Sequence, residues 1–509
     1  MAAFCRVLSP DVPEATDDAL AVYAKVAGFM KKQILDSIET DCTPRNVLDE
    51  RARIGRLLKS KPAAFVDNLM EARRQREVVG QVAKEKKCGW FVKWECSGKM
   101  AGQTVLVKPR GIYPMTDRLA LENAPVLEAI NAFYHSPIVT RFHVKGTLPS
   151  NIGEKVASVT QSGAFTVTDY SSFEASLTGL ITRTEEELLT EIMRRLGNHD
   201  EAFVYERNKT QLRSFSNGLL SFLHRARKSG DFETAGGNLH DNLIVILTQS
   251  YVKYERETGD SDLDRWWATV DSLFFVLEGD DAVVPKGLID LDLVSHLGFK
   301  FSQAESGELH SDCDFLHKVY YPDGGVLVNV LRGFRSLYTD TAQKLRNSKV
   351  LALARASAWS MWCSSPGHPI LWAVVRRIGQ LTSGVSMFKG WQKFKKDNNP
   401  LNALVAPPSR FPQTFVSQKL RVELATTRNP LIPCISIPEQ VAFEDQILRW
   451  RVGEALQALE ALSSYPEFPF MLVAPHLPQR EIDGTESPGV RRLLGQLGVM
   501  GGVPSQPSV

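Results

Sequence analysis

Apolar and polar residues alternate in several distinct rhythms along the chain. From Asp17, "DDALAVYAKVAGFMKKQILDSI" repeats apolar residues every three or four positions behind an acidic start, which predicts an amphipathic helix. Helical texture continues to about Arg76. "FTVTDY" (Phe165 to Tyr170) alternates Thr with apolar residues and predicts a strand ending at Asp169. "TAGGNLHDNLIVILTQSYVKYERE" predicts a long helix starting near Thr234, despite the Gly236-Gly237 pair. In "SLFFVLEGDDAVVP" two β-prone arms flank Glu278-Gly279-Asp280-Asp281, which predicts a hairpin with Asp280 and Asp281 on its turn. "LIDLDLVSHLGFKFSQ" reads as a helix, a break at Gly298 and a further strand. From Arg332 to about Val473 the pattern is mostly helical, interrupted by prolines near 407–408 and 430–438. The sum is an α+β core between largely helical flanks.

Composition changes this picture little. The 509 residues suffice for several ordinary domains, and 43% hydrophobic with 23% charged residues excludes wholesale disorder. Sixty Lys plus Arg against 58 Asp plus Glu leave a formal charge of +2, which excludes a uniformly basic nucleic-acid coat. Seven scattered cysteines without a C-x-x-C point to free thiols rather than a disulfide scaffold or a zinc ribbon. No apolar run reaches the ~20 residues of a spanning helix, and the start lacks a secretory layout, so a soluble intracellular protein is expected. From Pro475 to Val509, five prolines and six glycines predict a loosely ordered tail.

Locally the charge is uneven. Between Lys84 and Arg110, seven bases (Lys84, Lys86, Lys87, Lys93, Lys99, Lys108, Arg110) face two acids (Glu85, Glu95), a net of +5. Such a run is usually a solvated face, and phosphate binding is its functional alternative. The acids gather elsewhere. Adjacent carboxylates such as Asp280 and Asp281 repel unless a cation compensates them, and hard divalent cations such as Mg²⁺ prefer carboxylate oxygens. With Asp169 at the end of a separate strand, three acids could hold two metals about 3.5–4 Å apart, as in-line phosphoryl displacement requires. A Gly-Asp-Asp alone arises by chance in about one chain in ten of this length.

A second pattern is more specific. Ser229, Gly230, Thr234 and Asn238 form S-G-x-x-x-T-x-x-x-N at a loop-to-helix junction. Thr234 and Asn238 stand four apart and share a helix face, and their hydroxyl and amide groups suit a ribose 2′-OH. A Ser/Thr helix cap with a buried Asn is the structural alternative.

Taken in order, these segments resemble the RNA-dependent RNA polymerases of positive-strand RNA viruses, tombusvirus- and nodavirus-like, with palm motifs also picornavirus-like. "FVKWE" with "KPRGI" looks like the basic fingers motif, "DYSSFEASL" like the first palm motif, "RKSGDFETAGGN" like the second, "EGDD" like the third, and "FLHK" like the primer-grip hairpin. The matching segments span about 230 residues.

The resemblance implies a right-hand fold of fingers, palm (an antiparallel sheet plus helices) and a mostly helical thumb. Fingers and an N-terminal extension would occupy 1–160, and the first acidic palm motif 161–178. A fingers insertion would follow at 179–225, then palm at 226–330, thumb at 331–474 and the tail at 475–509. It assigns Asp169 and Asp280 as metal ligands with Asp281 supporting, for two Mg²⁺ that Mn²⁺ can replace. Glu174, Ser229, Gly230, Thr234 and Asn238 would meet the nucleotide and its ribose; Lys93, Lys108 and Arg110 would hold the triphosphate. Phe315, Leu316, His317 and Lys318 would support the nascent 3′ end, and Lys300 is the candidate general acid. Glu174 departs from the family, which usually has Asp there.

The implied reaction is attack of an RNA 3′-hydroxyl on the α-phosphorus of a template-paired nucleoside triphosphate, replicating and transcribing a viral genome. The implied partners are template and nascent RNA, nucleoside triphosphates, and membrane-anchored viral or host replication proteins. The implied location is host cytoplasm at membrane-associated replication complexes. A reverse transcriptase or other palm polymerase, and a non-catalytic RNA-binding replication factor, are the alternatives. No G-x-x-x-x-G-K-[ST] or G-x-S-x-G motif supports a helicase or a serine hydrolase.

Overall fold

The computed structural model describes residues 12–38, 91–92, 111–112, 124–171, 173–177, 179–197, 210–214, 220–224, 234–330, 347–385, 416–429, 432 and 434–449. They divide into two compact units: the first runs to Lys145 and resumes over Ser158–Glu308, and the second takes Gly146–Ala157 and the residues from Leu309 onward. Helices and small antiparallel sheets alternate in an α+β arrangement.

The first unit opens with helix α1 (Asp17–Ser37), the expected amphipathic helix. Its N-cap Thr16 accepts from the backbone N–H of Ala19, and Asp17 and Asp18 complement the positive end of the helix dipole. Tyr23, Val26, Met30 and Ile34 form its buried stripe, each side chain contributing about 1.5–3 kcal/mol by leaving water. Strands β1 (Phe91–Val92) and β2 (Gly111–Ile112) pair antiparallel, Phe91 opposite Ile112 and Val92 opposite Gly111. Helices α2 (Ala124–His135) and α3 (Pro137–Thr140) precede β3 (Phe165–Tyr170), and α4 (Pro149–Thr160), which belongs to the second unit through Ala157, lies between α3 and β3 in sequence. Short α5 (Phe173–Ser176) and α6 (Gly179–Arg195) follow, then the hairpin of β4 (Thr210–Ser214) and β5 (Leu220–His224).

Helix α7 (Thr234–Thr258) starts where the sequence puts it and is buried from Gly236 through Gln249. Its glycine pair has a packing reason. A Cβ on Gly236 would come 2.8 Å from Cγ2 of Ile130, so glycine lets α2 approach closely. After α8 (Leu263–Val270) come β6 (Val276–Glu278), β7 (Asp281–Pro285), α9 (Leu291–His296) and β8 (Phe301–Gly307). The four-stranded sheet runs β6-β7-β3-β8, every pair antiparallel. Gly298 provides the expected break before β8 at φ +87°. Helices α1, α2, α6 and α7 share one core with the sheet, including the fully buried Trp266.

The second unit holds the hairpin of β9 (Lys318–Tyr320) and β10 (Val326–Val328), then α10 (Asn347–Ser364), α11 (Pro369–Leu381), α12 (Gln418–Thr426) and α13 (Ile437–Arg449). Val319, Leu327, Leu371, Val374, Leu420 and Ile447 form its separate core. Among the described residues, no helix is long and apolar enough to cross a membrane.

Candidate functional site

Three of the expected acids are carried at one end of the four-stranded sheet, on β3, on β7 and on the turn before it. β3 and β7 are neighbours whose last registered pair is Thr168 opposite Ala282, and Asp169 and Asp281 each stand one residue beyond that pair. Antiparallel pairing explains why: the C-terminal end of one strand lies beside the N-terminal start of the other. Asp169 is exposed, and Asp280 and Asp281 are half-buried.

The sequence expectation needs one correction here. Asp281 is the first residue of β7 and pairs with Glu278, so the turn itself is only Gly279 and Asp280. A two-residue hairpin loop needs a backbone whose twist matches its strands; Gly279 at φ +65° with Asp280 outside the positive-φ region supplies the type II′ form. Likewise β3 runs one residue past Asp169, and its register against β8 shifts between Asp169 and Tyr170. Such an irregularity re-aims side chains at a strand end.

This end of the sheet is braced from below. Tyr170 packs edge-on against Phe173 at 4.9 Å and Phe299 at 5.6 Å, and Phe173 lies 5.1 Å from Phe299. The Tyr170 hydroxyl donates to Oδ1 of Asn242 at 3.1 Å, and Asn242 Nδ2 donates to the carbonyls of Gly279 (3.1 Å) and Asp280 (2.9 Å). Burial first, and then the charge of Asp280, push the Tyr170 phenol well above its ordinary range, so it stays a neutral donor. At the other end of the turn, Lys145 Nζ bonds Glu278 Oε1 at 2.8 Å.

The remaining expected residues are distributed as follows. Glu174 is half-buried on α5, four residues after Tyr170. Thr234 opens α7 half-buried and Asn238 is buried one turn on, so the shared helix face is present. Lys300 is exposed, and its carbonyl accepts from Ser171 N–H at 2.7 Å, beside the end of β3. Ser229, Gly230, Lys93, Lys108 and Arg110 lie outside the described residues.

In the second unit, Phe315 and Lys318 exchange backbone bonds of 3.0 and 3.1 Å around Leu316 and His317, both at positive φ (54° and 60°). This is a two-residue turn made without glycine, and left-handed backbone costs an L-residue about 1–2 kcal/mol. Phe315 is fully buried, and Lys318 Nζ donates to the Ser364 carbonyl at 2.8 Å.

Asn242 and Tyr170 are the residues sequence reasoning passed over. A signal existed: Asn242 continues the Thr234, Asn238 spacing by four, inside the apolar run "NLIVIL", where an amide must find buried partners. No protein-family model and no curated protein matches the chain.

Proposed function

We propose that this chain is an RNA-dependent RNA polymerase with fingers, palm and thumb, in which Asp169, Asp280 and Asp281 form the metal-binding centre of nucleotidyl transfer. One observation carries the reading: β3, β7 and the turn before β7 carry three carboxylates at one end of the sheet, next to a helix that starts with Thr234 and Asn238. The order of the motifs along the chain supports it as well.

The donor set fits Mg²⁺, a hard cation that takes carboxylate oxygens and usually shares its shell with substrate phosphates. Among the described residues, no three His, Cys, Asp or Glu side chains converge closely enough to hold a metal ion as they stand. When bound, two such ions would activate the attacking 3′-hydroxyl and stabilise the leaving phosphates.

The chain's own residues supply alignment and charge. Asp169 and Asp280 hold their carboxylates at the strand end and the turn, and Asp281 adds charge from the first position of β7. Thr234 and Asn238 present a hydroxyl and an amide to the incoming ribose, with Glu174 nearby in sequence to the strand that carries Asp169. Lys93, Lys108 and Arg110 bind triphosphate oxygens, where an arginine fork bonds two at once. The strained turn at Leu316 and His317 supports the nascent 3′ end. RNA template and nucleoside triphosphates are then the substrates, and membrane-anchored replication proteins the expected partners.

The test is incorporation of labelled nucleotides on a heteropolymeric RNA, with and without primer, in Mg²⁺ or Mn²⁺. Template-dependent product is expected from the parent chain and none from a folded Asp280→Ala variant. A folded Asp280→Ala protein that still polymerised would sink the assignment. A preference for deoxyribonucleotides would instead select a reverse transcriptase.

A further inference from the structure

The turn that carries Asp280 is held by one buried side chain, and that side chain also holds the strand that carries Asp169. Asn242 is fully buried in α7. It bonds Tyr170, 72 residues earlier, and the Gly279 and Asp280 carbonyls, 37 and 38 residues later. Chemistry fixes the amide's orientation. Carbonyl oxygens only accept, so Nδ2 must face the turn, Oδ1 must face Tyr170, and the phenol must donate. Three bonds from one amide therefore set where the residue after Asp169 stands relative to the backbone of Asp280.

We infer that Asn242 is a positioning residue: through Tyr170 and the Gly279–Asp280 carbonyls it fixes the separation of the Asp169 and Asp280 carboxylates, and so sets the chain's affinity for divalent cations. The inference rests on the reading of these acids as metal ligands. Groups that orient ligands typically change metal affinity about 10–100-fold when removed, although they never touch the ion. A purely structural Asn242 would lower stability and leave the affinity of the folded protein alone. Divalent binding therefore separates the two roles where a melting temperature does not.

The experiment is Mn²⁺ binding by titration calorimetry to the full chain without nucleotide or RNA. The variants are Asn242→Ala, Tyr170→Phe, Asp280→Ala and Thr248→Val. Thr248 is buried in the same helix and bonds the Ile244 carbonyl at 2.7 Å, so it controls for disturbance of α7. Asn242→Ala and Tyr170→Phe should weaken Mn²⁺ by about 10-fold or more, and Thr248→Val should leave it unchanged. Should Asn242→Ala fail to fold, Tyr170→Phe carries the test, because it deletes a single oxygen and keeps the ring. Folded variants at Asn242 or Tyr170 that bind like the parent, beside an Asp280→Ala protein that does not, overturn the inference and spare the proposed function. A parent chain with no Mn²⁺ binding that Asp280→Ala removes overturns both.

Discussion

Each unit contains a two-residue turn that bears expected site residues, and the two are built on opposite principles. The Gly279–Asp280 turn has a relaxed backbone, because glycine takes the positive φ, and it is held by a neutral amide and a neutral phenol. The Leu316–His317 turn has a strained backbone, because neither residue is glycine, and it is held by packing of Phe315 and a lysine tether to Ser364. If the acids of the first hold metal ions as proposed, their carboxylates need a defined separation, and hydrogen bonds of fixed geometry do the holding. In the second, side chains are kept in a conformation they would otherwise avoid, which persists only where the surroundings over-determine it. Strain of that kind is characteristic of sites where a particular side chain must be presented.

The difference can be broken most forcefully at Phe315. Phe315→Ala should cost the second unit about 3–5 kcal/mol in denaturant unfolding, since it removes the buried anchor of the strained turn. Mn²⁺ binding at the acidic end of the first unit's sheet should persist in the folded fraction. Acid should also separate the units. His368 caps α11, is fully buried, and has its imidazole pulled down to about 4 by burial. The folded protein then binds fewer protons than the unfolded chain between about pH 6.5 and 4, so this contribution is complete above about 6.5 and is lost as pH falls through that window. The full loss is on the order of 3 kcal/mol, and His368→Asn, which keeps a capping acceptor, should flatten the pH dependence of the denaturation midpoint. His310, in the same unit, is shifted down by burial as well. The Asn242 amide and Tyr170 phenol that brace the Gly279–Asp280 turn are neutral groups that do not charge in that range.

Much of this contrast was hidden from the sequence, for identifiable reasons. Helix α7 was legible from Thr234 because its apolar run is long and periodic, and the hairpin was legible because Gly-Asp-Asp separates two β-prone arms. Where the turn ends was not, since Gly279-Asp280 and Asp280-Asp281 are both plausible tips; pairing of Glu278 with Asp281 decides it. The spacing and the apolar run flagged Asn242 as a buried amide, but not its role, because its partners lie 37 to 72 residues away and only the folded sheet brings them together. The Leu316–His317 turn was signalled only by the resemblance of "FLHK" to a hairpin: nothing local favours it, and no Asn-Gly marks it. Local chemistry announces relaxed structure, whereas strained structure is imposed by tertiary packing.

Two reciprocal substitutions should sharpen the comparison, with opposite backbone effects. Gly279→Ala meets no atom within 4 Å, so its cost is backbone alone, about 1–2 kcal/mol of destabilisation from forcing alanine to φ +65°. The displaced turn should also weaken divalent binding. At the backbone, His317→Gly should act the other way and more weakly. Relief of the left-handed backbone returns about 1–2 kcal/mol, while the freer unfolded chain takes back about 0.5–1 kcal/mol. The backbone contributions alone net a stabilisation of roughly 0.5–1 kcal/mol, from which the lost His317 side-chain interaction subtracts, read as a shift of the denaturation midpoint at unchanged slope. If this turn supports a nascent 3′ end, that variant should extend a primer less well. A variant that gained both stability and extension would show that the strain serves no presentation of His317. A variant that lost stability would show that contacts of the imidazole, rather than packing of Phe315, keep the backbone left-handed.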